Sequence, residues 1–170
     1  MFNGANTGFV LLAASLVMLM TPGLAFFYGG LVGRSNTVTI MIQSFASMGI
    51  TTVLWWLVVW QLFVYFPFVH MIRGNGLLAQ WGVRDFAGGI VVHASAGFAA
   101  LASVLYVGRR RIVDTEHNIP FIALGTGLLW FGWYGFNAGS ELKVDDVTAT
   151  AFLSTDLAAS FAATTWLFIE

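Results

Sequence analysis

Four stretches of this chain carry no charged residue at all: residues 1–33, 35–72, 86–108 and 117–140. Crossing the hydrocarbon core of a bilayer takes about 20 apolar residues in a helix, so each stretch is long enough to span one. Charge is scarce throughout. Of the 170 residues 9% are charged and 58% are apolar, whereas a soluble domain carries about 25% charged residues. A water-facing surface cannot be built from so few charges. The expected fold is all-α, a polytopic transmembrane helix bundle of about five spans forming a single domain over residues 1–170.

The same composition excludes several classes of function. The formal net charge is −1 and the basic residues form no stripe interleaved with aromatics, so nucleic acid is not an expected partner. The lipid bilayer is. With no cysteine there is no disulfide framework, thiolate nucleophile or sulfur metal site, and the redox compartment stays open. No His-Glu-x-x-His, nucleophile elbow or phosphate loop occurs. The glycines of GTGLLWFG, at 125–132, follow no strand and read as helix packing. No enzymatic activity, cofactor or metal is therefore expected. The first apolar stretch lacks a positive n-region and runs for about 25 residues before Arg34, so it reads as a retained helix and not a secretory signal.

Helices are expected over residues 8–33, 37–66, 85–108, 119–138 and 148–169. The first ends in Gly29, Gly30 and Gly33 before Arg34. Gly29 and Gly33 make a small-xxx-small pair, which either brings two helix backbones together in lipid or caps the helix end. The second segment is unusual. Two full spans and a turn do not fit between Arg34 and Arg73, whereas one helix over 37–66 would be about 45 Å long against a core of about 30 Å. Such a helix must tilt, kink near Pro67 or project into water. Asp85 is suited to N-cap the third helix and Pro120 to open the fourth. That fourth helix carries the aromatic block Trp130, Phe131, Trp133, Tyr134 and Phe136, and Asp156 interrupts the fifth.

Short loops rich in Arg or Lys prefer the cytoplasm. Five spans put Arg34 and the triplet Arg109, Arg110 and Arg111 on one side. That side is then cytoplasmic, the N-terminus is outside, and the location is the plasma (inner) membrane. Arg73, Arg84 and Lys143 lie opposite. A six-span arrangement that splits the second segment reverses the later loops with a similar tally.

The stretches TPGLAFFYGGLVGRSN at 21–36, QLFVYFPFVH at 61–70, DFAGGIVVH at 85–93 and HNIPFIALGTGLLWFGWYGFNAGS at 117–140 together resemble the ammonium transporter family, which includes the methylammonium permeases and the Rhesus proteins. The resemblance covers nearly the whole chain. It implies a channel-like transporter of ammonium or ammonia that is a homo-oligomer, a trimer, with about eleven helices per subunit and its substrate path between two inverted repeats. Matched by motif, the chain is similar to the N-terminal half: family helices one, two, four, five, six and most of seven. The third is missing, and the join falls within residues 54–60. Such an omission fuses two spans of the same direction and preserves the direction of every later helix.

Ammonium must shed water to enter a membrane, so its site has to offer aromatic faces and oxygen acceptors instead. Passage further inward as the neutral amine requires the ion to lose a proton, and a buried imidazole is suited to relay it. His93 lies eight residues past Asp85, about 12 Å along a helix and so near mid-membrane, where an ionisable group points to function. It falls on the family's first pore histidine; the plainer reading is a neutral histidine bonded to a neighbouring helix. Phe136 and Ser140 share a helix face at i, i+4, and Trp133 joins it at i−3. The resemblance makes Phe136 a pore residue, one of two stacked gate rings, and Ser140 part of the outer ammonium site, with Trp133 on the same stripe. Without the resemblance the stripe reads as an interfacial aromatic belt. Asp85 matches a family acid near the outer entrance, where it either biases cation recruitment or holds the helix start together. Asp156 matches a position that is usually uncharged and polar in the family, and is either a functional carboxylate or a liability.

Three departures argue against transport by this chain alone. Arg73 stands where the family has its outer-site tryptophan, replacing an attracting ring by a repelling charge. The second gate phenylalanine belongs to the missing helix, and the partner of His93 belongs to a late helix of the second repeat. Two readings follow. One is a family member or fragment for ammonium transmembrane transport that does not conduct alone; the other is a nonconducting membrane interaction or ammonium-sensing subunit that assembles with a full transporter. An inactive, incomplete gene product is a third.

Overall fold

The computed structural model describes residues 3–54, 60–109 and 116–169. Every regular element among them is a helix: α1 (Gly4–Leu31), α2 (Arg34–Leu54), a π-helical turn (Gln61–Tyr65) running into α3 (Phe66–Arg73), the short α4 (Leu77–Gln80), a second π-helical turn (Gly89–Ala94) running into α5 (Ser95–Val107), α6 (Ile119–Gly139) and α7 (Asp146–Ile169). Among the described residues four helices are long and apolar enough to cross a membrane, namely α1, the continuous helix Gly89–Val107, α6 and α7. The architecture is an all-α transmembrane bundle. It divides into two compact units, one of Met1–Met48 with Asp114–Glu170 and one of Gly49–Val113.

In the first unit α1 starts earlier than expected, because Asn3 supplies an N-cap whose carboxamide accepts from the Asn6 amide at 3.1 Å. Pro22 lies inside the helix and removes one amide from its ladder, a loss that membrane helices tolerate. The face α1 buries is set by glycines on α6. A Cβ at Gly125 would sit 2.4 Å from the Phe27 nitrogen, one at Gly132 2.7 Å from the Leu16 oxygen, and one at Gly135 2.8 Å from the Ala13 oxygen. Lipid supplies no hydrophobic drive between helices, so close backbone approach of this kind is what holds them. As the α6 numbers rise the α1 numbers fall, so the two helices are antiparallel. Of the pair singled out in the sequence, Gly29 faces Met41 and accepts from the Thr37 hydroxyl at 3.0 Å, while Gly33 lies beyond the helix end. The glycines of α1 that meet α6 are Gly23, where a Cβ would be 3.1 Å from the Leu129 nitrogen, and Gly30, where it would be 2.7 Å from the Asn118 oxygen.

That end of the seam is stitched by the Asn118 amide donating to the Gly30 carbonyl at 2.9 Å and by His117 Nδ1 donating to the Leu31 carbonyl at 2.9 Å. An exposed Arg34–Glu116 pair at 3.2 Å joins them, and such pairs are worth little. The end of α1 and the start of α6 therefore lie at the same end of the antiparallel pair.

A short turn joins α6 to α7. In it Lys143 bridges Glu141 at 3.0 Å and Asp145 at 2.7 Å, and Asp145 caps α7 by accepting from the Val147 and Thr148 amides at 3.0 and 3.2 Å. The two helices then pair through Tyr134 stacked on Phe152, with ring centroids 4.3 Å apart.

The second unit departs from expectation at both ends of its helices. The expected helix over 37–66 cannot be judged whole, because residues 55–59 lie outside the described residues. Its far end is a correction: the helix does not stop at 66 but runs through Pro67 to Arg73, where Gly74 closes it. Proline cannot donate to the turn before it, and the wide turn Gln61–Tyr65 immediately upstream is where the helix absorbs that mismatch. The next span begins at Gly89, not at Asp85, because Gly88 takes a left-handed φ of 86° that no side-chain-bearing residue adopts easily.

Candidate functional site

Asp85 caps its helix from four residues upstream. Its Oδ1 accepts from the Gly89 amide at 2.6 Å, and its Oδ2 from the Ile90 and Val91 amides at 2.8 and 3.1 Å. These are orphan donors of a helix start. Burial raises the pKa of Asp85, but the backbone amides of Ile90, Val91, Gly89 and Gly88 outweigh that and hold the carboxyl below its ordinary range. The Asp85 carbonyl is occupied as well: Arg73 Nη2 donates to it at 3.4 Å and also to the Phe86 carbonyl.

His93 sits in the π-helical turn that Asp85 caps. Turns of this kind recur at functional positions, since one extra residue re-aims the side chains that follow. The carbonyls displaced by the wide turn find a partner in Ser95, whose hydroxyl lies 2.8 Å from the Val91 oxygen and 2.9 Å from the Val92 oxygen. The His93 imidazole is exposed on the helix surface.

Trp133, Phe136 and Ser140 are brought together at the C-terminal end of α6. The two rings lie 5.8 Å apart, tilted by 37°. The Ser140 hydroxyl donates to the Phe136 carbonyl at 2.8 Å. Its hydrogen is thereby committed to the backbone and its lone pairs remain, so the group is an acceptor on the helix face that carries the two rings. That is a chemistry suited to a small cation with N–H donors. All three side chains are half-buried.

Trp133, Phe136 and Ser140 belong to the first unit and Asp85 and His93 to the second, so the expected residues form two local constellations. Sequence reasoning missed the polar pairing around Asp156. The Tyr134 hydroxyl donates to Asp156 Oδ1, and Asn137 Nδ2 donates to Thr155 Oγ1 at 2.9 Å. The signal was a carboxylate inside an apolar helix, which calls for a donor on the facing one. Gly88 was also missed, though two consecutive glycines after an aspartate mark a turn. Among the described residues no group of three His, Cys, Asp or Glu side chains could hold a metal ion.

Comparison with known proteins bears on these constellations. The Ammonium Transporter Family pattern matches residues 8–62 and 56–170, two pieces that meet where the motifs place the missing helix. The chain is 33% identical to ammonium transporter Amt1 of Archaeoglobus fulgidus, covering 96% of this chain and 60% of that protein. It is 33% identical to an ammonium transporter of Aquifex aeolicus, over 97% of this chain and 57% of the relative. With an ammonium transporter of Bacillus subtilis the identity is 30%, over 97% and 59% respectively. The chain spans about three fifths of the length of these relatives. The alignment with the first covers 233 residues, more than this chain possesses, so it opens across segments that the relative has and this chain lacks. The family match over nearly all of the sequence, broken at the expected join, shows that this integral membrane protein belongs to the ammonium transporter family.

Proposed function

We propose that the chain serves ammonium transmembrane transport as one wall of a path completed by an assembly, and that it does not conduct alone. The observation that carries this is the face of α6, where the Ser140 hydroxyl, its hydrogen given to the Phe136 carbonyl, shares a helix face with the Phe136 and Trp133 rings. In this reading Ser140 and Trp133 receive the dehydrating ion, Phe136 gates it, and His93 takes the proton further in. Asp85 holds the His93 turn in shape instead of recruiting cations, since its carboxylate is engaged by three amides. By likeness to the family the chain forms a homo-oligomer, a trimer, in the plasma membrane with the N-terminus outside, while the missing wall of the path comes from a chain that carries the second repeat.

Arg73 favours a second reading, a nonconducting or ammonium-sensing subunit of a full transporter. Its guanidinium, held on the Phe86 carbonyl, places a repelling charge where the family has a ring. Binding and co-purification separate the two. In lipid nanodiscs the chain is expected to bind methylammonium, and Ser140→Ala to weaken that binding about tenfold, the worth of one charge-assisted hydrogen bond. In planar bilayers the chain alone is expected to pass no ammonium current. Absence of methylammonium binding would remove the transport reading, while co-purification with a full transporter, with or without binding, would support the second.

A further inference from the structure

We propose that Asp156, with Asn137 beside it, forms a second binding site for an ammonium-type cation, deep in the membrane on the seam between α6 and α7. The proposal rests on the ammonium reading above. Asp156 lies ten residues into α7, about 15 Å along the helix, which is half of a core about 30 Å thick. Neither α6 nor α7 carries a Lys, Arg or His, and neither does α1, which packs on α6. The titratable groups on these helices are Tyr134 on α6, Asp146 at the start of α7 and Tyr28 near the far end of α1. A negative charge at that depth is costly without a positive partner, and no partner comes from these helices.

Three hydrogens around Asp156 are already committed. Tyr134 gives its hydroxyl hydrogen to Asp156 Oδ1, Asn137 gives an amide hydrogen to Thr155 at 2.9 Å, and Thr155 gives its own to the Ala151 carbonyl at 2.7 Å. Among the described residues, Asp156 Oδ2 and Asn137 Oδ1 accept nothing. Phe152, stacked on Tyr134, adds a π face. Open oxygen acceptors, a net negative charge and an aromatic wall together suit a cation that brings its own N–H groups. The site lies on the side of α6 that carries Tyr134 and Asn137, next to the face of Phe136 and Ser140, so an ion leaving Ser140 meets it by rounding one helix.

The test is radiolabelled methylammonium binding to the full chain in nanodiscs, with unlabelled competitors. Asp156→Asn, which preserves shape, is expected to weaken Ser140-independent binding more than about tenfold. In the unmodified chain ammonium should displace the label at concentrations where sodium and potassium do not. Equal binding by the chain and Asp156→Asn would overturn the site while leaving the Ser140 site standing. Equal displacement by sodium would overturn its ammonium character without recourse to any variant. No binding by either protein would remove the proposed function along with this site.

Discussion

Gly125→Leu is expected to prevent stable packing of α1 on α6. The new Cβ would sit 2.4 Å from the Phe27 nitrogen and 2.7 Å from the Gly23 oxygen, and both are backbone atoms that no rotamer change can move. The helices must separate along their length, which costs on the order of 3 kcal/mol and forfeits the close contacts at Gly132 and Gly135. Gly127 is the control, because a Cβ there meets nothing within 4 Å. In thermal unfolding of the detergent-solubilised protein, Gly125→Leu should melt far below the unmodified chain and Gly127→Leu close to it. Equal melting of the two variants would show that the glycine seam is not what holds the first unit together.

Asp85→Ala is expected to fray the start of the span that carries His93. Three amides lose their acceptor at once. Removal of one cap costs about 0.5–2 kcal/mol, and an Asp serving three amides belongs at the upper end. The sign with pH follows from the lowered pKa of the carboxyl. Its stabilisation is fully present above the ordinary carboxylate value, about 3.9, and is lost as the pH falls through the lower value it has in the folded chain. The difference between the unmodified protein and Asp85→Ala should therefore be largest near neutral pH and shrink only in strong acid. Amide hydrogen exchange at residues 89–91 reads it locally. Unchanged protection there at neutral pH would mean that Gly88 alone sets the turn.

The legibility of the chain differed from helix to helix for physical reasons. The span of α6 could be read closely because Pro120, the aromatic block and the run of glycines each act locally, and the stripe of Trp133, Phe136 and Ser140 follows from helical spacing alone. The start of the His93 span was misplaced by four residues. Asp85 does act as a cap, but Gly88 lets its side chain reach past an irregular turn, and propensity at a single residue does not reveal that. The helix through Pro67 ran longer than expected because a wide turn upstream took up the missing donor. Gly29 and Gly33 suggested close packing through their spacing, yet the α1 glycines that meet α6 are Gly23 and Gly30, a choice made by which face α6 presents. The pairing of Tyr134 with Asp156 depends on the register of two helices, which no single segment encodes.

The account stands most directly on His93 facing a polar path and not the acyl chains. The chain contains no cysteine, so His93→Cys introduces a unique thiol. Labelling of that thiol in intact membranes by a small, water-borne, membrane-impermeant reagent is the result the account predicts. Reaction only with a lipid-soluble maleimide, and none with the aqueous reagent from either side, would contradict it.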